Sequence, residues 1–409
     1  MHPDDKEPPP KNMRINSAEL EMDYWRANAQ QHLRERLQIE ENLNTNKAKN
    51  IIMFLGDGMS LQTVAATRMY MGGEELSLSF ERFPHFGLSK VDIVFFLNMN
   101  KFINLIFFEK FSHNYCVNRQ VADSACTATA YLHGVKANYG TMGINANVPR
   151  YDCYRQNEPE SRTTSITKWA QDNCKATGLV TTSRVTHASP GGVYAHIANR
   201  DWENDQEVKD DGCDIKRTKD IAQQLIDNPV AQKLKVILGG GRREFRDKNM
   251  LDEEGKIGYR ADGKDLIQEW MQERSKHGNA SYIWNEEQLK FLDYEKTDYL
   301  MGLFEADHCL FNIDVNNKGL QDREPSLSEM TESAIKILQK EENGYFLFVE
   351  SARIDMAHHE NWARKALDET KEFSETIDLI RRMTNESDTL IVVTSDHAHV
   401  MTYNGHPVS

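Results

Sequence analysis

Five short apolar runs, rich in β-branched and aromatic residues, recur along the chain with helix-patterned segments between them, and this alternation restricts the fold more than any other feature. The runs are 51–55 (IIMFL), 178–182 (GLVTT), 235–239 (KVILG), 345–349 (YFLFV) and 389–394 (TLIVVT). Continuous apolar strands are those of a parallel sheet covered by helices on both faces. Helical periodicity falls at 163–173, 216–227, 328–341 and 362–383, which predicts an α/β fold built on a large, doubly wound, mostly parallel sheet. A polar, irregular stretch at about 241–325, with a short helix-like piece at 264–274, reads as an inserted subdomain.

A polar, Pro-rich leader occupies 1–14, and 17–42 carries the pattern of an amphipathic helix, so 15–409 reads as a single domain. Residues 91–114 are loaded with Phe, Ile, Asn and Lys, the composition of AT-rich codons, and their flanks read smoothly into each other without them. We expect an atypical insertion here, the product of a retained intron. A spliced transcript lacking these codons is the expected result, and transcripts that all keep them overturn the expectation.

Composition excludes several classes. Among 409 residues, 49 Lys and Arg stand against 63 Asp and Glu, leaving a formal charge of −14 without the basic footprint of a nucleic-acid binder. The longest apolar stretch, 93–108, is broken by three Asn and a Lys and is too short to span a bilayer. The start lacks the apolar segment of a signal peptide. Six cysteines without a C-x-x-C exclude a zinc ribbon or thioredoxin motif.

The chemistry lies at the strand ends. The run 51–55 leads into Gly56-Asp57-Gly58-Met59-Ser60, 345–349 into Glu350, and 389–394 into Ser395-Asp396-His397. The carboxyl ends of parallel strands form the ligand crevice, so these acids converge, and converging carboxylates call for a divalent cation. Asp355 and His359 stand at i and i+4, a mixed oxygen and imidazole pair suited to zinc, while Glu350 and Asp57 offer magnesium an all-oxygen environment. Ser124 begins a small-residue helix ending at Gly134, where free N–H groups favour a phosphate; beside metals it is a candidate nucleophile. Ser189-Pro-Gly-Gly reads as a loop before a helix ending near Arg200, whose planar fork suits two phosphate oxygens.

Together GDGMS (56–60), VADSACTATA (121–130), HASP (187–190), VESARIDMAHH (349–359) and TSDHAH (394–399) resemble, in order, the motifs of the alkaline phosphatase family. The likeness covers 15–409 apart from the insertion and is nearest the insect membrane-anchored type. It implies a phosphomonoesterase working through a phosphoserine at Ser124, with Arg200 clamping the phosphate and His187 beside it. It also implies two zinc ions, one held by Asp57, Asp396 and His397 and the other by Asp355 and His359, and a magnesium held by Asp57, Ser189 and Glu350. A calcium would fall at Phe304, Glu305 and Glu324, with a further Glu at 253 or 254, and Cys153 would pair with Cys213. Partners implied are small phosphate monoesters and a second copy in a homodimer. The resemblance places the protein on the outer face of the plasma membrane through a lipid anchor. The family's third ligand for the Asp355/His359 zinc is a histidine beyond Ser409, so that site is expected to lack one here. That gap and the insertion ten residues before Ser124 favour a competing reading, an impaired homologue serving as a cell-surface metal-binding or interaction protein.

Overall fold

The computed structural model describes residues 46–73, 75–85, 115–319 and 324–402, with positions 27, 30, 31 and 34. The leader and the insertion at 91–114 lie outside the described residues. Of the expected opening helix, Ala27, Gln30, Gln31 and Arg34 are described, and they are helical.

Seven strands form one sheet: β1 (Asn50–Gly56), β2 (Ala176–Arg184), β3 (Leu234–Gly240), β4 (Ala280–Ile283), β5 (Tyr299–Leu303), β6 (Tyr345–Ser351) and β7 (Thr389–Ser395). Their order is β4-β5-β3-β2-β6-β1-β7, and every pairing is parallel. All five apolar runs are strands of this sheet. Strands β4 and β5 add to it from within 241–325, where Gly302 and polar flanks leave the apolar signal short.

Because successive side chains on a strand point to opposite faces, each central strand feeds two cores. Met53, Leu55, Phe346 and Phe348 join one, and Ile52, Phe54, Leu347 and Val349 the other. The first core is covered by helices α1 (Ser124–His133), α2 (Ile166–Asp172), α3 (Ile221–Asp227) and α4 (Leu266–Arg274). The second is covered by α5 (Leu327–Leu338) and α6 (Ala363–Met383). Each large apolar side chain removed from water this way contributes about 1.5–3 kcal/mol, and the double coverage makes the centre of the sheet rigid.

One expectation fails locally. No helix ends near Arg200: a single helical turn, Ala188–Gly191, gives way to turns, and Ile197 pairs with Met142 instead. Gly143 permits this. Its φ is +64°, and a Cβ there would stand 2.1 Å from the Ala195 carbonyl oxygen. The close backbone approach draws 195–197 into pairing and away from helix.

Two disulfides are present, Cys153–Cys213 and Cys116–Cys126. No described helix is long and apolar enough to cross a membrane.

Candidate active site

Strand order explains why residues far apart in sequence meet. β1 lies between β6 and β7, so Gly56, Ser351 and Ser395 stand side by side and Asp57, Glu350 and Asp396 leave the sheet together. Gly58 tightens the cluster with φ +63°: its amide donates to Asp396 Oδ1 at 3.1 Å, and a Cβ there would sit 2.6 Å from Asp355 Oδ1. The backbone hugs two carboxylates that a side chain would displace.

Ser124 is the first residue of α1, but it does not cap the helix. Asp123 does, taking the Cys126 amide on its side chain. The serine hydroxyl is thereby left to the cluster, 3.4 Å from Asp57 Oδ2 and 3.3 Å from His397 Nε2. His397 Nε2 is also 3.2 Å from Asp396 Oδ2 and 3.6 Å from Asp57 Oδ1. His359 Nε2 stands 3.2 Å from Asp355 Oδ2.

His399 was not foreseen. Its Nε2 comes within 3.8 Å of Asp355 Oδ1, and its ring packs edge-on to His359 at 4.5 Å between centroids. Two groups of three metal donors result, Asp57/Asp355/His397 and Asp355/His359/His399, with Asp355 common to both.

On the other side of Asp57, Glu350 is fully buried and its Oε2 accepts from Thr181 at 2.5 Å and Ser183 at 3.3 Å. Ser189 is also fully buried, and its hydroxyl finds no hydrogen-bond partner among the described residues. Arg200 donates to Asp123 Oδ2 at 3.1 Å and lies 3.1 Å from His187 Nε2. Burial, with Arg200 and Arg184 adding to it, holds His187 well below the usual imidazole range and keeps it neutral.

Electrostatics show what this cluster lacks. Burial pushes Asp57 well up, and Asp396, Asp355 and Glu350 push it further, against Arg200. Burial likewise raises Asp355, with His397 opposing. Glu350 is pushed up to about 7 by burial, against the Thr181 hydrogen bond and with Asp396 adding to the rise. Asp57 Oδ1, Asp355 Oδ1 and Glu350 Oε1 are buried yet accept no hydrogen bond from the described residues. Buried acceptors without donors and carboxylates that repel one another are the signature of cation ligands, so the residues present fit the metals.

The residues expected to hold a calcium begin at the end of β5. Phe304 and Glu305 follow β5, and Glu305 and Glu324 both flank the buried Cys309 thiol. Glu324 accepts from the Leu310 amide at 2.7 Å, Glu253 pairs with Arg246, and Glu254 pairs with Arg242. Among the described residues these acids form no close group of three donors.

Comparison with known proteins agrees with the geometry. A family profile for alkaline phosphatase matches residues 48–94 and 97–409. The chain is 45% identical to the membrane-bound alkaline phosphatase of Bombyx mori over 96% of its length and 68% of that protein. It is 44% identical to the tissue-nonspecific isozyme of Gallus gallus, over 96% of the chain and 71% of that protein. Among solved structures, the alkaline phosphatase of Thermus thermophilus superposes with a TM-score of 0.64 at 26% identity, covering 88% of this chain and 62% of that one. The enzyme from the Antarctic bacterium TAB5 shares the fold, with a TM-score of 0.62 at 22% identity over 87% of this chain and 80% of that one. A doubly wound sheet whose strand ends gather acids, histidines and a helix-borne serine is therefore what sequence and structure both assign to the alkaline phosphatase family of metal-dependent phosphoric monoester hydrolases, to which this chain belongs.

Proposed function

We propose that this chain hydrolyses phosphate monoesters through a phosphoserine on Ser124. The observation that carries the reading is the serine hydroxyl held between Asp57 and His397 at the N-terminus of α1, with Arg200 fixed beside it by Asp123. Ser124 Oγ attacks the phosphorus, the bond to the ester oxygen breaks, and the alcohol leaves carrying a proton. Water then attacks the phosphoserine, the P–Oγ bond breaks, and inorganic phosphate is released. Both displacements are in line. The helix N-terminus and the Arg200 fork meet the non-bridging oxygens and make few demands on the alcohol, so we expect broad monoester specificity.

Asp57, Asp396 and His397 would hold one zinc, Asp355, His359 and His399 the other, and Asp57, Ser189 and Glu350 a magnesium. Bound there, the ions supply positive charge that acidifies a hydroxyl and offsets the phosphoryl oxygens. His187 would hold the face of Arg200 turned away from Asp123. We read 15–409 as one domain interrupted at 91–114, acting as a homodimer tethered to the outer membrane surface. Light scattering giving twice 47.1 kDa checks the dimer, and a monomer at micromolar concentration overturns it.

The direct test is to mix the metal-loaded protein with an aryl phosphate, quench in acid and map the phosphate, which should sit on Ser124. Label on any other residue, or none with turnover intact, removes the mechanism. Arg200→Ala should raise KM by roughly 10- to 100-fold, the worth of charge-assisted hydrogen bonds to phosphate, with a smaller fall in kcat. An unchanged KM would remove Arg200 from the phosphate.

A further inference from the structure

Behind the nucleophile lies a disulfide that the reaction does not use. Cys116 is bonded to Cys126, two positions past Ser124 on α1, and each is about 1% exposed. With Ala137 the two form a small apolar cluster separate from both faces of the sheet, bordered by Ala122 and Tyr139.

The loop carrying Cys116 is itself pinned to 137–139. Val117 N donates to the Ala137 carbonyl at 2.9 Å, and Tyr139 N donates to Asn118 Oδ1 at 2.8 Å. The next residue, Gly140, donates its amide to Asp123 Oδ1 at 3.0 Å and accepts the Arg200 amide at 2.8 Å. Asp123 Oδ1 also takes the Cys126 amide at 3.3 Å, while Oδ2 takes the Arg200 guanidinium at 3.1 Å. One carboxylate thus joins the helix cap, the 137–140 strap and the arginine. The disulfide closes this circuit covalently, because it ties the pinned loop to the first turn of α1.

We propose that the Cys116–Cys126 disulfide positions the phosphoryl-transfer machinery, setting Asp123 and through it the Ser124 hydroxyl and the Arg200 guanidinium relative to each other. This rests on the reading of Ser124 as nucleophile and Arg200 as phosphate clamp. Cys116 and Cys126 are positioning residues and act through Asp123. A displacement of about 1 Å at a reacting group costs on the order of a hundredfold in rate, so a loosened first turn is felt in turnover. A disulfide also constrains the unfolded chain, so loss of stability alone does not separate this role from a purely structural one.

The test uses the metal-loaded full chain. Mass mapping without reduction should find Cys116 joined to Cys126, and a free Cys116 overturns the proposal. Cys116→Ser, Cys126→Ser and the double variant are then compared at a temperature where circular dichroism shows all of them folded. Each should lose roughly 10- to 100-fold in kcat/KM for 4-nitrophenyl phosphate, by equal amounts because each lacks the same bond. Inorganic phosphate, titrated by calorimetry, should bind more weakly by a comparable factor.

A lower melting temperature with kcat/KM and phosphate affinity within twofold of the parent overturns the proposal. Should the serine variants fail to fold, Cys116→Val combined with Cys126→Ala refills the apolar space and takes their place. Phosphate binding is read without turnover, so a parent that binds phosphate but hydrolyses nothing removes only the functional reading. A parent that does neither removes both.

Discussion

Ser124→Ala is expected to lower kcat for an aryl phosphate at least about a thousandfold while the protein stays folded and still binds inorganic phosphate. The size follows from the division of labour at the head of α1. Asp123, not Ser124, caps the helix, so removing the hydroxyl breaks no cap and leaves the Asp123–Arg200 contact in place. Only the attacking oxygen is lost. A variant keeping a tenth of the parent rate would show that another group or a water attacks phosphorus directly, and acid quenching would then find covalent phosphate on that group, or none if water attacks. Thermal midpoints should differ little, because the hydroxyl's neighbours are a carboxylate and an imidazole at 3.4 Å and 3.3 Å, neither a strong hydrogen bond.

Stripping the metals should abolish activity and destabilise the protein increasingly as pH rises. Asp57, Asp355 and Glu350 all have folded-state pKa values above their unfolded ones. In the stripped protein their cost is therefore absent below the unfolded values and grows as pH climbs through the folded ones. For Glu350 the window runs from 4.5 to about 7, and a rise of that size corresponds to roughly 3 kcal/mol. Bound cations remove the cost, so the gap between loaded and stripped protein in urea should widen from pH 5.5 to pH 8. Taking the gap at each pH cancels the acid-side penalty of His133 and His196, which burial holds down to about 4 in both forms. A gap that is equal at the two pH values, or no gap at all, would mean that these acids are not metal ligands.

How much of this was legible in the sequence depends on the scale of the signal. β1, β2, β3 and β6 are buried along most of their length on both faces and therefore read as unbroken apolar runs, and the half-buried edge strand β7 keeps such a run in TLIVVT. β4 is a four-residue strand, ASYI, without such a run, and β5 is interrupted by Gly302, so both were hidden in polar surroundings. Asp57, Glu350, Asp396 and His397 stood out because motif and strand end coincide, Ser124 because it heads a small-residue helix, and Asp355 and His359 because they stand at i and i+4. His399 did not, since its place beside Asp355 depends on how the chain turns after β7. Disulfide pairing is likewise absent from spacing alone: six cysteines allow many connectivities, and Cys116 meets Cys126 only because its loop docks on 137–139. The expected helix before Arg200 failed for a tertiary reason, the Gly143–Ala195 approach, which no local pattern records.

The position of β1 between β6 and β7 also governs when the site can exist during synthesis. Asp57 leaves the ribosome early, yet the Gly58 amide finds its carboxylate partner 338 residues later, at Asp396. β1 has no neighbour until 345–351 emerge and only one until 389–395 follow, so the acids lack their full geometry until the end of β7 is made. Pairings this distant place the closing of the sheet late and make it slow, with an apolar strand waiting uncovered in the meantime. Cations offered to the growing chain therefore find no complete cluster, and metal loading has to wait until the last of these strands has docked.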